Sequence, residues 1–167
     1  MMEPFVEQLK RLCASHPTRA KWVFVPSHHI GRTIGDRLVL GGTEWANLRF
    51  VTPFGMALQM GAPFLVERGI DPSEEGLGPA LMMRLLLGLP ESHQYFRPLA
   101  HQPELARALW STVTELRMAG LGPDDLKAEP FESSVKHEEL KSLLTAYETY
   151  LATTNRGDRA TVFAEAV

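Results

Sequence analysis

The stretch KWVFVPSHHIGRTIGDRL, Lys21–Leu38, decides the fold because it joins a strand pattern directly to a helix pattern. Its apolar run Trp22–Val25 stops at Pro26, as expected of a short strand that is buried on both faces. Apolar residues then recur every four positions, which predicts a helix that begins at Ser27 or His28 and ends at the next Gly-Gly pair. A buried strand therefore leads straight into a polar, basic helix start.

A second strand and helix follow in the same order. Leu48–Val51 has the pattern of a short strand, and Thr52-Pro53 marks a helix start, since threonine suits the N-cap and proline suits the first helical position. Residues 4–15 form an amphipathic helix pattern ahead of the first strand, and Pro17 ends it. The alternation of strand and helix predicts a parallel βαβ unit.

The second half of the chain has only helix patterns, and no strand pattern occurs between about residues 80 and 155. The expected helix starts lie at Pro79, at Pro103, at Ser133 or Ser134, and after Asp158. The fold class is therefore α/β, with an α/β lobe over residues 1–70 and a helical subdomain over residues 71–167, and Asp71–Pro79 is the expected boundary. The last helix pattern is so short that we expect this chain to be a piece of a longer protein.

The charge is unevenly distributed along the chain. The formal net charge is −3, but residues 1–50 carry seven Lys or Arg against four Asp or Glu, so the remaining residues sum to −6. Only the first third of the chain is thus a plausible surface for a polyanion such as nucleic acid. The alternative, that these charges form an ordinary solvated face, stays open.

Cysteine content and hydropathy indicate a cytoplasmic protein. The single cysteine, Cys13, excludes a disulfide framework and a cysteine-based zinc site, which favours a reducing compartment. No apolar run is long enough to span a bilayer, and the N-terminal sequence lacks a signal-peptide pattern.

The familiar catalytic motifs are absent from the sequence. There is no phosphate-binding P-loop and no dinucleotide fingerprint, and Gly31-x-x-x-Gly35 lies in a helix pattern, where it favours close packing. His28-His29 are poor metal ligands, because adjacent helical side chains point about 100° apart. Ser27 has no nucleophile elbow around it and is more simply a helix cap. The carboxylate pairs at residues 124–125 and 138–139 suit helix starts. We therefore predict no catalytic and no metal-binding residues in this chain.

A phosphate-contact site explains the opening stretch better. A helix N-terminus presents free backbone N–H groups and a positive dipole, and Ser27, His28, His29 and Arg32 lie on its first exposed turns. Thr52, at the end of the next strand, should lie beside them, since ligands bind at the carboxyl ends of parallel strands. The alternative is that these residues are only helix caps with a solvated first turn.

Two segments resemble motifs of superfamily 1 helicases of the UvrD/Rep type. VFVPSHHIGRTIGDRL is similar to motif Ia, which is a strand, a polar turn and a helix that ends in Arg-Ile or Arg-Leu. NLRFVTPFGMAL resembles motif Ib, usually written Thr-Phe-His; Thr52 matches its threonine, but Phe54 replaces its histidine. Under this match the turn at Ser27–His29 contacts the nucleic-acid strand.

The closer resemblance is to degenerate relatives of those helicases, the AddB- and RecC-type subunits of bacterial helicase–nuclease complexes. Their pattern LVPS…GR…L matches the opening stretch, and three later segments also look like theirs: TELRMAGLGPDDLKAE, KHEELKSLLTAYETYL and GDRATVFAEAV. The likeness is collinear from about Lys21 to Val167, and it is carried by the order of the segments rather than by any one of them.

The resemblance implies a partial RecA-like (P-loop NTPase-like) parallel-sheet lobe followed by an all-helical insertion region. Such subunits act in DNA double-strand break repair and recombination with a partner helicase–nuclease subunit. The parent protein would use ATP and magnesium as a helicase and exonuclease subunit, often with a distant PD-(D/E)XK nuclease domain.

The departure from the family is the missing Walker A loop. We therefore expect this chain to be non-catalytic, to hold no cofactor and to bind single-stranded DNA weakly. A pure protein–protein scaffold with no nucleic-acid contact is the alternative.

Overall fold

The computed structural model describes residues 3–167 and divides the chain into two compact units, Met1–Gln59 and Met60–Val167. The division falls inside a helix, whereas the change from strand and helix patterns to helix patterns alone predicts a boundary at Asp71–Pro79, which stays a prediction. The first unit contains helices and both strands, and the second unit is built from helices.

The order of elements confirms the α/β class. The first part runs through α1 (Glu3–Ser15), β1 (Lys21–Phe24), α2 (His28–Leu40), β2 (Leu48–Val51) and α3 (Pro53–Glu67). The second part runs through α4 (Pro79–Gly88), α5 (Pro103–Met118), α6 (Ser134–Thr153) and α7 (Arg159–Glu165), with 3₁₀ turns at Arg97–Leu99 and Pro123–Asp125. None of the helices in the described part of the chain is both long and apolar enough to cross a bilayer.

The two strands pair in parallel, as the βαβ pattern predicts. Val23 lies opposite Phe50 and Phe24 lies opposite Val51 in the register. The side chains of α1 and α2 that point inward pack with one face of this sheet around Val25 and Leu48. Strands β1 and β2 are therefore neighbours in the sheet, and α2 is the connection between them.

The prediction that β1 is buried on both faces is wrong. Lys21 and Val25 are buried, but the side chains between them alternate, with Trp22 43% exposed and Phe24 59% exposed. The reason is that α1 and α2 contribute to the core on one face of the sheet. An apolar run in a strand predicts two buried faces only where helices cover both.

Close packing requires a glycine at one of the two glycine positions within α2. A Cβ atom built on Gly31 would lie 2.7 Å from the Cβ of Phe50, which real Cβ atoms do not tolerate. At Gly35 the nearest contact, the Cε2 of Phe50, is an ordinary 3.5 Å away. The predicted close packing is therefore confirmed at Gly31, whereas Gly35 has room for a Cβ at an ordinary contact distance.

The second unit has its own core, formed by α4, α5 and α6. Met82, Val113, Leu143 and Tyr147 are fully or almost fully buried in it, and Trp110 packs against them from the edge. Trp110 and Tyr147 meet edge-on with ring centroids 5.9 Å apart.

Two contacts join the beginning and the end of the second unit. Asp71 forms an isolated parallel bridge with Arg156, through Asp71 N to Asn155 O at 2.9 Å and Gly157 N to Asp71 O at 2.8 Å. Helix α7 packs closely on α3, since a Cβ on Gly61 would lie 3.1 Å from the carbonyl oxygen of Val162.

Candidate nucleic-acid interface

Ser27 is the N-cap of α2, as predicted. Its backbone is extended, and its Oγ accepts a hydrogen bond from the backbone N–H of Ile30 at 3.3 Å. The carbonyl of Ser27 accepts the first helical bond, from Gly31 N at 3.1 Å. The N–H groups of the first helical turn, at His28 and His29, have no acceptor within the helix and point outward from its N-terminal end.

Thr52 plays the same role for α3. Its Oγ1 accepts from Gly55 N at 3.0 Å, and its carbonyl accepts from Met56 N at 3.0 Å. Pro53 is the first helical residue, where its missing N–H costs nothing. A Cβ on Gly55 would lie 2.9 Å from the threonine hydroxyl, so a glycine keeps this cap compact.

The sheet brings these two caps to the same edge. The ladder continues past β1 through a hydrogen bond from Val25 N to Val51 O at 2.9 Å. Ser27 follows this last rung by two residues on one strand, and Thr52 follows it by one residue on the other. Two helix N-termini therefore begin side by side at the carboxyl end of a parallel pair.

Three further side chains of the predicted site are exposed on α2. Arg32 lies four residues after His28 and three after His29, so all three lie on neighbouring positions of the helix surface. Asp36 is exposed one turn beyond Arg32 and reduces the local positive charge. The surface formed by Ser27, His28, His29, Arg32 and Thr52 is called the strand-end surface below.

The second unit holds a partly buried ionic cluster that sequence reasoning missed. Arg117 on α5 donates to Glu148 at 2.8 Å and to both oxygens of Asp158, at 3.0 and 3.2 Å. Burial lowers the pKa of the Arg117 guanidinium, but the bonds to Asp158 and Glu148 outweigh this and raise it. Burial and the neighbouring Asp158 charge raise the pKa of Tyr147. The cluster therefore joins α5, α6 and α7 through paired charges.

A second buried carboxylate also has a structural role. Glu139 is only 2% exposed, and its two oxygens accept from the backbone N–H groups of Tyr95 and Phe96 at 2.6 and 2.7 Å. Its neighbour Glu138 is exposed. The sequence suggested that both serve the helix start electrostatically; for Glu139 the structure shows instead that it anchors the loop before the Arg97–Leu99 turn.

Within residues 3–167 no group of three or more His, Cys, Asp or Glu side chains is arranged to hold a metal ion. No family model matches this chain, and no curated protein matches it closely enough to count as a relative. The strand-end surface is therefore characterised by its geometry and by the chemistry of its residues.

Proposed function

We propose that this chain is a non-catalytic lobe that binds the phosphates of single-stranded DNA at the strand-end surface. The observation that carries the proposal is the adjacency of two capped helix N-termini after neighbouring parallel strands. Both N-termini present the positive end of a helix dipole to an anion, and α2 also offers the backbone N–H donors of His28 and His29. His28, His29 and Arg32 add exposed donors to the same edge.

The expected binding is weak and strongly dependent on salt. Contacts to phosphates release condensed counterions, and for single strands the slope of log K against log salt is about −0.7 per phosphate contacted. The strand-end surface has room for few phosphates, so a slope of roughly −2 is expected. No base-specific contact is part of the proposal, and any single strand should bind alike.

The parent of this lobe is, in this proposal, an AddB/RecC-like subunit of a helicase–nuclease complex. A parallel βαβ unit is compatible with a partial RecA-like lobe, and the order of the motif-like segments supports the family. The lobe then acts in the cytoplasm in double-strand break repair and recombination, beside a partner helicase–nuclease subunit. ATP, magnesium and any nuclease chemistry belong to the parent.

The test is a fluorescence-anisotropy titration of the full chain with a labelled oligothymidine at low salt. The double variant His28→Ala/Arg32→Ala should weaken binding several-fold and reduce the salt slope by about one. Arg37→Ala, at the other end of the same helix, removes equal charge and should bind as the unmodified chain does. Unchanged binding by the double variant would assign the DNA to another surface.

A protein–protein scaffold is the second candidate, and the exposed aromatic side chains of β1 favour it. In that case the basic first third of the chain docks an acidic partner subunit and makes no nucleic-acid contact. The same titration separates the two functions, because a scaffold gives no anisotropy change at low salt.

A further inference from the structure

Strand β1 has one edge without a partner strand. Lys21 N donates to Asn47 O at 2.7 Å and Val25 N donates to Val51 O at 2.9 Å. Backbone groups alternate sides along a strand, so those of Trp22 and Phe24 point away from β2. Over residues 3–167 the sheet has only these two strands, and this edge therefore stays open.

A groove runs along the open edge, between β1 and α1. It measures about 320 Å³, and Phe5 and Leu12 of α1 line it opposite Trp22 and Phe24. These four side chains are exposed, and every side chain that lines the groove is uncharged. We call this feature the β1 groove.

We propose that the β1 groove binds an extended segment of a partner protein, which adds a third strand to the sheet. Only a peptide backbone presents N–H and C=O groups at the spacing that the edge of β1 requires. The uncharged lining suits a strand with apolar side chains at alternate positions. The groove thus differs in chemistry from the strand-end surface.

The position of one arginine indicates the charge of that segment. Arg49 lies opposite Trp22 in the sheet, and its guanidinium carbon is 5.1 Å from the centre of the Trp22 ring. A third strand would lie about 4.8 Å beyond β1, so a side chain beside Trp22 on this face comes within reach of the guanidinium. An Asp or Glu at that position complements the charge of Arg49.

The test uses a fluorescein-labelled peptide of about nine residues that alternates valine with threonine and carries one glutamate. Its binding to the full chain is followed by anisotropy, and saturable binding at concentrations up to about 1 mM is expected. The control peptide has the same side chains but N-methyl groups on alternate amides, which remove the donors of one strand edge. Binding by the control as strong as by the parent peptide would overturn strand addition.

Two matched variants locate the binding site on the protein. Leu12→Glu places a charge in the groove wall and should weaken peptide binding at least tenfold. Leu40→Glu alters an exposed leucine of α2 outside the groove and should leave the peptide affinity unchanged. Circular dichroism verifies that both variants fold. Equal affinities for the two variants, or no saturable binding at all, would refute the proposal.

The inference does not depend on the proposed DNA function. An unlabelled oligothymidine added to the peptide complex should leave the anisotropy high, because the nucleic acid uses the strand-end surface. Displacement of the peptide by the oligonucleotide would mean that the groove binds DNA, and it would overturn the peptide assignment. Loss of DNA binding in His28→Ala/Arg32→Ala has no bearing on peptide binding.

Discussion

Arg117 on α5 holds both carboxylate oxygens of Asp158, the residue that caps the N-terminus of α7. The same carboxylate accepts from the backbone N–H of Thr161 at 2.9 Å and from the hydroxyl of Tyr147 on α6 at 3.4 Å. Three helices therefore meet at one buried carboxylate. Its charge state should affect the stability of the whole second unit.

The first prediction concerns acid. Burial raises the pKa of Asp158, but the hydrogen bonds from Arg117 and Thr161 outweigh burial and hold the pKa below its usual 3.8. A lowered folded-state pKa contributes stability that is fully present above pH 3.8 and is lost as the pH falls through the folded value. Urea unfolding at several pH values should therefore show a steeper loss of stability below about pH 4 than the Asp158→Asn variant shows. The same dependence of unfolding free energy on pH in both proteins would contradict this role.

The second prediction removes the other partner. Arg117→Met leaves Asp158 and Glu148 without their cation, and breaking a largely buried pair in this way should cost about 3 kcal/mol of unfolding free energy. The control is Arg107→Met on the same helix, whose exposed pairing with Glu104 is worth well under about 1 kcal/mol. Denaturant titration of both variants measures the difference, and equal losses would show that the cluster adds no more than a surface ion pair.

The third prediction compares the two glycines of α2. Gly31→Ala forces the helix away from Phe50 and should destabilise the first unit, whereas Gly35→Ala meets only ordinary contacts. Alanine is favoured over glycine within a helix by about 1 kcal/mol, so Gly35→Ala should be neutral or stabilising. The changes are read by thermal unfolding followed by tryptophan fluorescence in a Trp110→Phe background, where Trp22 and Trp45 of the first unit are the remaining tryptophans. The reverse order of stability would refute the packing assigned to Gly31.

The fourth prediction concerns the loop that Glu139 anchors. Glu139→Gln leaves one oxygen acceptor where two amides now bond, so Tyr95 N–H or Phe96 N–H loses its partner at a cost of roughly 1–3 kcal/mol. Hydrogen exchange at these two amides should accelerate. Glu138→Gln, an exposed neighbour on the same helix, is the control and should leave their exchange unchanged.

The fifth prediction tests the charge of the strand-end surface from the opposite side. Asp36 lies one helical turn beyond Arg32, so Asp36→Asn should raise the affinity for oligothymidine about two- to threefold at low salt. The gain should vanish at about 1 M salt, where the Debye length is only about 3 Å. Glu44→Gln, outside α2, serves as the control for a change in net charge.

Local signals in the sequence predicted most of the elements. Ser27 and Thr52 mark helix starts by their own side-chain chemistry, and the Pro53, Pro79 and Pro103 positions fall at the first residues of helices. These signals act over three or four residues, so they need no knowledge of the fold. The parallel pairing was predicted from the order of the elements, since two neighbouring strands that are joined by a helix usually run parallel.

Long-range relationships could not be predicted in this way. Arg117 and Asp158 are 41 residues apart. Each has an ordinary local role that gives no sign of the other, since Arg117 lies in the last turn of α5 and Asp158 caps α7. Glu139 and Tyr95 are likewise 44 residues apart. The exposed face of β1 was missed for a related reason: WVFV has the same letters whether one or two of its faces are covered.

The bridge between Asp71 and Arg156 has a consequence for how this architecture could arise. Because those two residues are hydrogen-bonded neighbours, the chain leaves α3 and returns to α7 at one place after passing through α4, α5 and α6. A segment whose two ends coincide can be spliced into a surface turn, lengthened or shortened by whole helices, without displacing the elements on either side. The segment that carries α4, α5 and α6 is thus an insertion between two joined ends, and its length can change while α3 and α7 keep their contact.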